Sequence, residues 1–221
     1  MAALTSGWTQ PVEPTVGLPL FKGLVGALTR QRASTRQRAF VKFVTFHTLY
    51  LDLLRAAFPH VPFLFVYRDP VEIMVSIERQ NGPLLARVKG GPASAAWTGL
   101  DRRVVTEMSD MAYHAAVFRR CLTALLAHDG PISLVRYRDI SPASIGRILE
   151  RAFDYRPSTT DLHEMQAQFG FCSKAPDSGE RFTADSALKR RAATSELRRT
   201  VERELEPLVR SLDGSANRIT I

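Results

Sequence analysis

The sequence is poor in cysteine, in acidic residues and in long apolar runs. Its only cysteines are Cys121 and Cys172, too few for a disulfide framework or a zinc pattern. A low cysteine content is typical of proteins in a reducing compartment, so we expect a cytoplasmic protein. No apolar run approaches the roughly 18 residues that a membrane-spanning helix requires. Residues 1–8 lack the basic and apolar segments of a signal peptide. We therefore expect no membrane partner and no bound metal.

Acidic residues are outnumbered by basic ones, 22 to 30, and the formal net charge is +8. A basic chain favours anionic partners: nucleotides, phosphorylated or sulfated substrates, nucleic acid or acidic lipid. The excess charge is equally explained by the solvated faces of Arg-rich helices. No helix-turn-helix, RNP or zinc-finger signature is present, so we do not expect nucleic acid as a partner. Hydrophobic residues make up 45% of the chain, which is enough for a folded core.

Three short apolar runs have the pattern of strands, at residues 39–45, 61–67 and 131–137. The run 61–67 is almost wholly apolar, as is typical of a strand buried on both faces of a parallel sheet. Helical patterns separate the runs, which predicts an α/β fold with a mostly parallel sheet. The length favours a single domain over residues 1–221. Three strands are fewer than the usual five or so, so we expect part of the fold to be missing.

The remaining segments are mostly helical in pattern. In chain order they are an irregular N-terminal segment 1–17, helices 18–36 and 47–58, a long helix 100–128 (whole or broken), a helix from Ser141 or Ser144 to Phe153, and a charged C-terminal helix 187–212. Residues 81–99 and 156–185 are predicted to be irregular.

The best-defined local structure is the join between the strand 61–67 and the helix that follows. Asp69 suits the N-cap position, Pro70 suits the first helical turn, and Glu72 completes a capping-box spacing. Arg68 therefore lies just beyond the carboxyl end of a strand, where open α/β sheets bind ligands.

A helix N-terminus and an arginine together favour a phosphate, and Ser76 could add a hydroxyl from two turns along the helix. The alternative is that Arg68 pairs with a nearby carboxylate, Asp69 or Glu72.

The segment Tyr67-Arg-Asp-Pro-Val-Glu-Ile-Met-Val-Ser76 resembles the 3′-phosphate-binding segment of sulfotransferases. The resemblance covers about residues 18–212. It implies a P-loop-NTPase-like three-layer fold with a helix-rich C-terminal part, and 3′-phosphoadenosine 5′-phosphosulfate (PAPS) as co-substrate. Arg68 and Ser76 would then hold the 3′-phosphate of this nucleotide.

The segment Lys42-Phe-Val-Thr-Phe-His47 resembles the strand end where many sulfotransferases carry a lysine and a catalytic histidine. The resemblance makes His47 the general base that deprotonates the acceptor hydroxyl. Histidine suits this role because the pKa of an unperturbed imidazole lies near neutrality. Lys42 would stabilise charge on the departing phosphate, although the family's lysine and histidine stand closer together. The alternative for His47 is an N-terminal helix residue or a core histidine with satisfied hydrogen bonds.

Two later segments extend the resemblance. Leu134-Val-Arg-Tyr-Arg-Asp-Ile140 is similar to a family segment whose tyrosine approaches the adenine, and Tyr137 takes that position. The alternative is a core tyrosine at a strand end. Phe182–Arg191 resembles a C-terminal segment of a bacterial subfamily, in which Lys189 and Arg190 would close over the 3′-phosphate. The alternative there is a solvated helix start.

The loop that holds the 5′-phosphosulfate in the family, similar to Ser-Gly-Thr-Thr, has no counterpart in a suitable place. Residues 5–9 and 90–94 have some of the residue types but do not join a strand to a helix as the loop does. Residues 1–4 would align with the helix that follows the loop. We therefore expect an N-terminally truncated chain, through either a misassigned start codon or a genuinely shortened, inactive relative.

The leading expectation is sulfuryl transfer from PAPS to a hydroxyl or amine of a small-molecule acceptor, weak or absent in the chain as given. The second is a non-catalytic, degenerate sulfotransferase fold that binds a nucleotide or a partner. A nucleic-acid binder, resting on charge alone, is the third. The sequence predicts neither the acceptor nor the oligomeric state.

Overall fold

The fold is described from a computed structural model over residues 14–30, 39–79, 87–171 and 179–221. It combines many helices with a small parallel sheet, a mixed helix and sheet content consistent with the expected α/β class. The strands are β1 Phe63–Tyr67 and β2 Ile132–Arg136, and short 3₁₀ helices span Thr45–Tyr50 and Tyr137–Asp139. The α-helices are α1 Pro14–Arg30, α2 Leu51–Ala57, α3 Pro70–Arg79, α4 Pro92–Thr98, α5 Arg102–Glu107, α6 Asp110–Ala127, α7 Ile145–Phe153, α8 Thr159–Gln168, α9 Ser186–Ala192, α10 Ser195–Glu204 and α11 Glu206–Asp213.

The chain divides into two compact units. The first unit comprises Met1–Val61 and Pro83–His128, and the second comprises Pro62–Gly82 and Asp129–Ile221. Both strands belong to the second unit, together with α3 and α7 to α11. The number of domains remains a prediction.

The two strands of the second unit pair in parallel, with Phe63 opposite Ile132 and Tyr67 opposite Arg136. Parallel pairing confirms the expected relation of the two runs. The N–H of Leu134 donates to the Asn217 carbonyl at 3.0 Å, and the Ile219 N–H donates to the Leu134 carbonyl at 2.8 Å. Because the N–H and C=O of one strand residue point to the same side, β2 lies between β1 and the C-terminal segment.

Burial of β1 differs from the sequence-based expectation. Val66 is 44% exposed and only Tyr67 is fully buried, so the strand is not covered on both faces. An apolar run predicts a strand, but the number of layers that cover it depends on contacts far away in the chain.

The strand predicted over 39–45 is wrong. The chain is irregular before Thr45, and Phe40, Val41 and Val44 are 52%, 45% and 47% exposed. The following residues form a 3₁₀ helix, in which the Thr48 hydroxyl donates to the Thr45 carbonyl at 2.8 Å. Strand propensity does not make a strand without a partner, because the ladder of hydrogen bonds needs a second chain segment.

Two loop predictions are also wrong in part, since α4 lies within 81–99 and α8 within 156–185. The break in the long helix 100–128 is confirmed. α5 ends at Glu107, and Ser109 then caps the start of α6 by accepting a hydrogen bond from the Ala112 N–H at 3.2 Å.

The predicted C-terminal helix 187–212 is three short helices, α9 to α11. The Thr194 hydroxyl accepts a hydrogen bond from the Leu197 N–H at 3.1 Å and so caps a new helix start. Pro207 lies in the first turn of α11, where its missing N–H costs nothing. The apolar face survives both breaks, because Leu197 and Val201, along with the later leucines and valines of the pattern, are buried or half-buried.

The core of the first unit centres on aromatic rings. Tyr113 and Val105 are fully buried there beside Trp97 and Cys121, and the Phe46 and Trp97 rings stack at 4.5 Å between centroids. Burial raises the pKa of the Cys121 thiol to about 11, opposed by weaker contributions from Thr48 and a nearby arginine. Cys121 is therefore a buried core residue whose thiol stays protonated at neutral pH.

His114, on α6, is a buried polar residue of the first unit. It is 4% exposed, and neither ring nitrogen has a hydrogen-bond partner in the described part of the chain. Burial lowers the pKa of His114, and Asp110 opposes the effect while Lys89 adds to it. Lys89 and Asp110 pair with each other at 2.7 Å.

The buried imidazole predicts a stability that falls in mild acid. Below pH about 6.5 the unfolded chain takes up a proton at this residue before the folded chain does, so the free energy of unfolding decreases as pH falls. The slope from one such group is at most about 1.4 kcal/mol per pH unit. Urea unfolding at pH 7.5, 6.5 and 5.5 should show this decrease in the free energy of unfolding for the native chain. The decrease that comes from His114 should be missing in His114→Phe. The exposed His163, changed to Phe, is the control and should retain it.

Candidate functional site

The carboxyl end of β1 leads directly into the start of α3, as the sequence predicts. The Asp69 Oδ1 accepts hydrogen bonds from the N–H groups of Val71 at 2.9 Å and Glu72 at 3.4 Å, so Asp69 is the N-cap. Pro70 is the first helical residue. This geometry fixes Arg68 between the strand and the helix.

Arg68 binds the carboxylate of Glu72, which confirms the alternative of a local ion pair. The Arg68 Nε donates to the Glu72 Oε2 at 2.7 Å, and Glu72 is only 4% exposed. The Ser186 hydroxyl donates to the same oxygen at 3.0 Å. The Arg68 Nη2 lies 3.4 Å from the Ser186 Oγ. The Glu72 side chain thus binds the Arg68 guanidinium and does not form the capping box that its spacing from Asp69 predicted.

Arg190 approaches the same carboxylate from α9. Its Nη2 lies 3.0 Å from the Glu72 Oε1 and 3.3 Å from the Asp69 Oδ2. Lys189, its neighbour, is 4% exposed and pairs with the Asp185 Oδ2 at 2.7 Å. The Asp185 Oδ1 in turn lies 3.5 Å from the Arg68 Nη2.

These contacts define one group of side chains, which we call the Glu72 cluster: Arg68, Asp69, Glu72, Asp185, Ser186, Lys189 and Arg190. Its three cations face three carboxylates, so its formal charge is balanced. Burial raises the pKa of Glu72, but the hydrogen bonds from Arg68 and Ser186 and the charges of Arg68 and Arg190 outweigh it and lower that pKa overall. The carboxylate is therefore ionised at neutral pH.

Tyr137 lies beside the cluster, directly after β2. Its ring faces the Arg68 guanidinium, whose carbon is 4.8 Å from the ring centroid. The side chain is 42% exposed, so Tyr137 is not the core tyrosine of the alternative prediction. An exposed ring stacked on a cation offers a surface for a flat aromatic ligand.

Comparison with protein-family models, curated proteins and solved structures finds no match for this chain.

The structure brings four of the predicted nucleotide-binding residues together: Arg68, Tyr137, Lys189 and Arg190. The fifth, Ser76, is half-buried on α3, one turn after Glu72. Whether these residues hold a nucleotide remains a prediction.

The two predicted catalytic residues, Lys42 and His47, belong to the first unit. Lys42 is exposed in the irregular segment before the 3₁₀ helix. His47 is half-buried within that helix, and its Nδ1 lies 3.1 Å from the Val44 carbonyl oxygen. Because a carbonyl only accepts, this hydrogen bond places the proton on Nδ1 and leaves Nε2 as the basic nitrogen.

Sequence reasoning did not identify Asp185 and Ser186 as part of the site. They lie inside the segment 182–191 that carries the family resemblance, but only Lys189 and Arg190 were expected to matter there. The available signal was the spacing of Asp185 and Lys189, four residues apart at a helix start, which favours an ion pair.

The described residues contain no group of three or more His, Cys, Asp or Glu side chains placed to hold a metal ion. None of the helices described above is long and apolar enough to cross a bilayer.

Proposed function

We propose that the chain is a sulfotransferase-like protein that binds the 3′-phosphate and adenine of PAPS at the Glu72 cluster and Tyr137. The supporting observation is the meeting of three distant segments. Arg68, Tyr137 and the pair Lys189–Arg190 are far apart in sequence, yet they lie at one place beyond the strand ends. The family resemblance assigns all of them to the same nucleotide.

The chemistry of the cluster suits this ligand. The guanidinium groups of Arg68 and Arg190 can each give two parallel hydrogen bonds to a phosphate. The ring of Tyr137 provides an exposed face on which an adenine can stack. The site lies where α/β sheets bind their ligands.

Sulfuryl transfer is the further step of this proposal. The acceptor oxygen attacks sulfur, its proton passes to a general base, and the bond from sulfur to the phosphate oxygen breaks to release 3′-phosphoadenosine 5′-phosphate (PAP). The family resemblance assigns the role of the base to His47. In a neutral imidazole whose Nδ1–H donates to the Val44 carbonyl, Nε2 is the nitrogen that can accept a proton.

A second candidate is a non-catalytic nucleotide-binding protein. The observation that favours it is that the Glu72 cluster and Tyr137 all belong to the second unit, whereas the predicted catalytic residues Lys42 and His47 belong to the first. Nucleotide binding at the cluster therefore requires no residue of the first unit. Binding of PAP without any sulfuryl transfer would support this candidate over the first.

Calorimetric titration with PAP tests the binding proposal. We expect saturable binding to the native chain, weakened about tenfold to a hundredfold in Arg68→Ala, since hydrogen bonds to charged groups are lost. Arg210→Ala removes an equally charged residue that is 65% exposed on α11 and should bind as the native chain does. Lack of saturable binding to the folded native chain would refute the proposal. Incubation with PAPS and simple alcohol or amine acceptors, followed by detection of PAP, tests the transfer step.

A further inference from the structure

The carboxylate of Glu72 has the environment of a bound anion. Two guanidinium groups and one hydroxyl converge on it: the Nε of Arg68 at 2.7 Å, the Nη2 of Arg190 at 3.0 Å and the Oγ of Ser186 at 3.0 Å. Both carboxylate oxygens are engaged, and the side chain is 4% exposed. It is held from one side by Arg68, which precedes its helix, and from the other by Ser186 and Arg190 of α9.

This set of donors is the one that a phosphate monoester would use. Arginine forks recognise carboxylate and phosphate in the same way, through parallel N–H groups that match two oxygens. A phosphate and the Glu72 carboxylate therefore cannot both take the same N–H groups of Arg68 and Arg190. One of them must leave when the other binds.

We infer that Glu72 is an internal competitor, whose carboxylate occupies the anion site of the free protein and is displaced when a phosphate monoester binds. The inference rests on the proposed function for the position of the site. Affinity for the nucleotide is then set by the difference between two sets of charge-assisted hydrogen bonds, and it is lower than the same cations would give without Glu72.

A purely positioning role for Glu72 leads to the opposite result. If the carboxylate only held Arg68 in the orientation that binds phosphate, its removal would loosen the arginine and weaken binding. Competition predicts a gain in affinity and positioning predicts a loss, so one substitution separates them.

The test is a calorimetric titration of native protein, Glu72→Gln and Glu78→Gln with PAP and, separately, with inorganic pyrophosphate. Glu72→Gln should bind at least about tenfold more tightly, because a neutral amide competes less well than a carboxylate for the two arginines. Glu78→Gln is the matched control, because it makes the same change on the same helix α3 at an exposed residue. Partial desolvation of the Glu78 carboxylate and the charge of Glu196 raise its pKa, and no residue of the Glu72 cluster contributes. Glu78→Gln should leave affinity unchanged.

The outcomes separate the inference from the proposed function. Tighter binding of both ligands by Glu72→Gln supports the inference. Tighter binding of pyrophosphate without binding of PAP keeps the inference and refutes the nucleotide proposal. Equal or weaker binding by Glu72→Gln, while native protein binds PAP, overturns the inference alone. If no variant binds either anion, both fail.

A second variant covers the case in which Glu72→Gln does not fold. Glu72→Asp keeps the charge but shortens the side chain by one methylene, so the carboxylate no longer reaches both Arg68 and Arg190. Affinity for pyrophosphate should again rise, by about severalfold for one weakened charge-assisted hydrogen bond, and Glu78→Asp should not change it. An unchanged or lower affinity in folded Glu72→Asp would overturn the inference.

Discussion

Replacing Tyr113 with alanine is expected to lower the free energy of unfolding by about 3–5 kcal/mol, the usual cost of removing a buried aromatic ring. Tyr113 has no exposed surface and lies in the aromatic core of the first unit, beside Trp97, Val117 and Cys121. A close-packed core relaxes only in part into the space that the ring would leave, so a cavity remains. Urea unfolding followed by tryptophan fluorescence measures the change, because Trp97 lies in the same core.

Tyr113→Phe is the informative companion, since it removes only the hydroxyl. That oxygen is buried without a hydrogen-bond partner among the described residues, and burial raises the pKa of Tyr113 to about 12. A buried hydroxyl without a partner costs about 1–3 kcal/mol, so phenylalanine should be neutral or stabilising. A loss of stability in Tyr113→Phe close to that of Tyr113→Ala would show that the hydroxyl, and not the ring, holds the core.

Local features of the fold were predictable from the sequence because their causes are local. The cap at Asp69, the helix start at Pro70 and the ion pair between Arg68 and Glu72 all depend on residues within five positions of one another. The two apolar runs 61–67 and 131–137 form strands for the same reason, since each is continuous and bounded by turn-forming residues.

Features that depend on distant partners were not predictable. The run 39–45 has the composition of a strand, but no local signal says whether another segment will pair with it. The C-terminal helix 187–212 looked continuous because its apolar spacing is continuous, whereas Thr194 and Pro207 interrupt the backbone without interrupting the face. Periodicity reports the buried face of a segment, and caps report where its helices end.

The candidate site illustrates both cases. A resemblance in residue types led to Arg68, Tyr137, Lys189 and Arg190, and the structure brings them together. The sequence indicated a local carboxylate partner for Arg68 but not Asp185, because the position of Asp185 beside Arg68 is a tertiary contact. Charge balance at a site is therefore a structural property and cannot be read from net charge.

The second large effect is expected at Asp213, on α11, whose carboxylate joins the ends of both strands. It accepts hydrogen bonds from the Tyr67 hydroxyl at 2.8 Å and from the Arg136 Nε at 2.6 Å, and a second Arg136 nitrogen also binds it. The Arg218 Nη1 lies 3.6 Å away. The side chain is 24% exposed, so the pairs are largely shielded from water.

Asp213→Ala should lower the free energy of unfolding by about 3 kcal/mol, at the lower end for a broken buried ion pair because some solvent reaches it. The loss arises mainly from Arg136, which keeps its burial but loses its carboxylate, whereas Arg218 still pairs with Asp139 at 3.3 Å. Glu206→Ala on the same helix is the control: its pair with Arg210 spans 3.9 Å at the surface and should contribute less than about 1 kcal/mol. Equal losses in the two variants would contradict the prediction.

The pH dependence of a second variant, Asp213→Asn, identifies the charge as the cause. Burial raises the pKa of Asp213, but the hydrogen bonds from Arg136 and Tyr67 and the charges of Arg136 and Arg218 outweigh it, so the folded pKa lies below the usual value. The stabilisation is therefore complete above the unfolded pKa of about 3.9 and is lost as pH falls through the lower folded pKa. The difference in unfolding free energy between native protein and Asp213→Asn should be constant from pH 7 to 5 and shrink below pH about 4. A difference in unfolding free energy that persisted below pH about 4 would mean that packing, and not the charge of Asp213, holds the strand ends in place. These strand ends carry the candidate site, because Tyr67 immediately precedes Arg68 and Arg136 immediately precedes Tyr137.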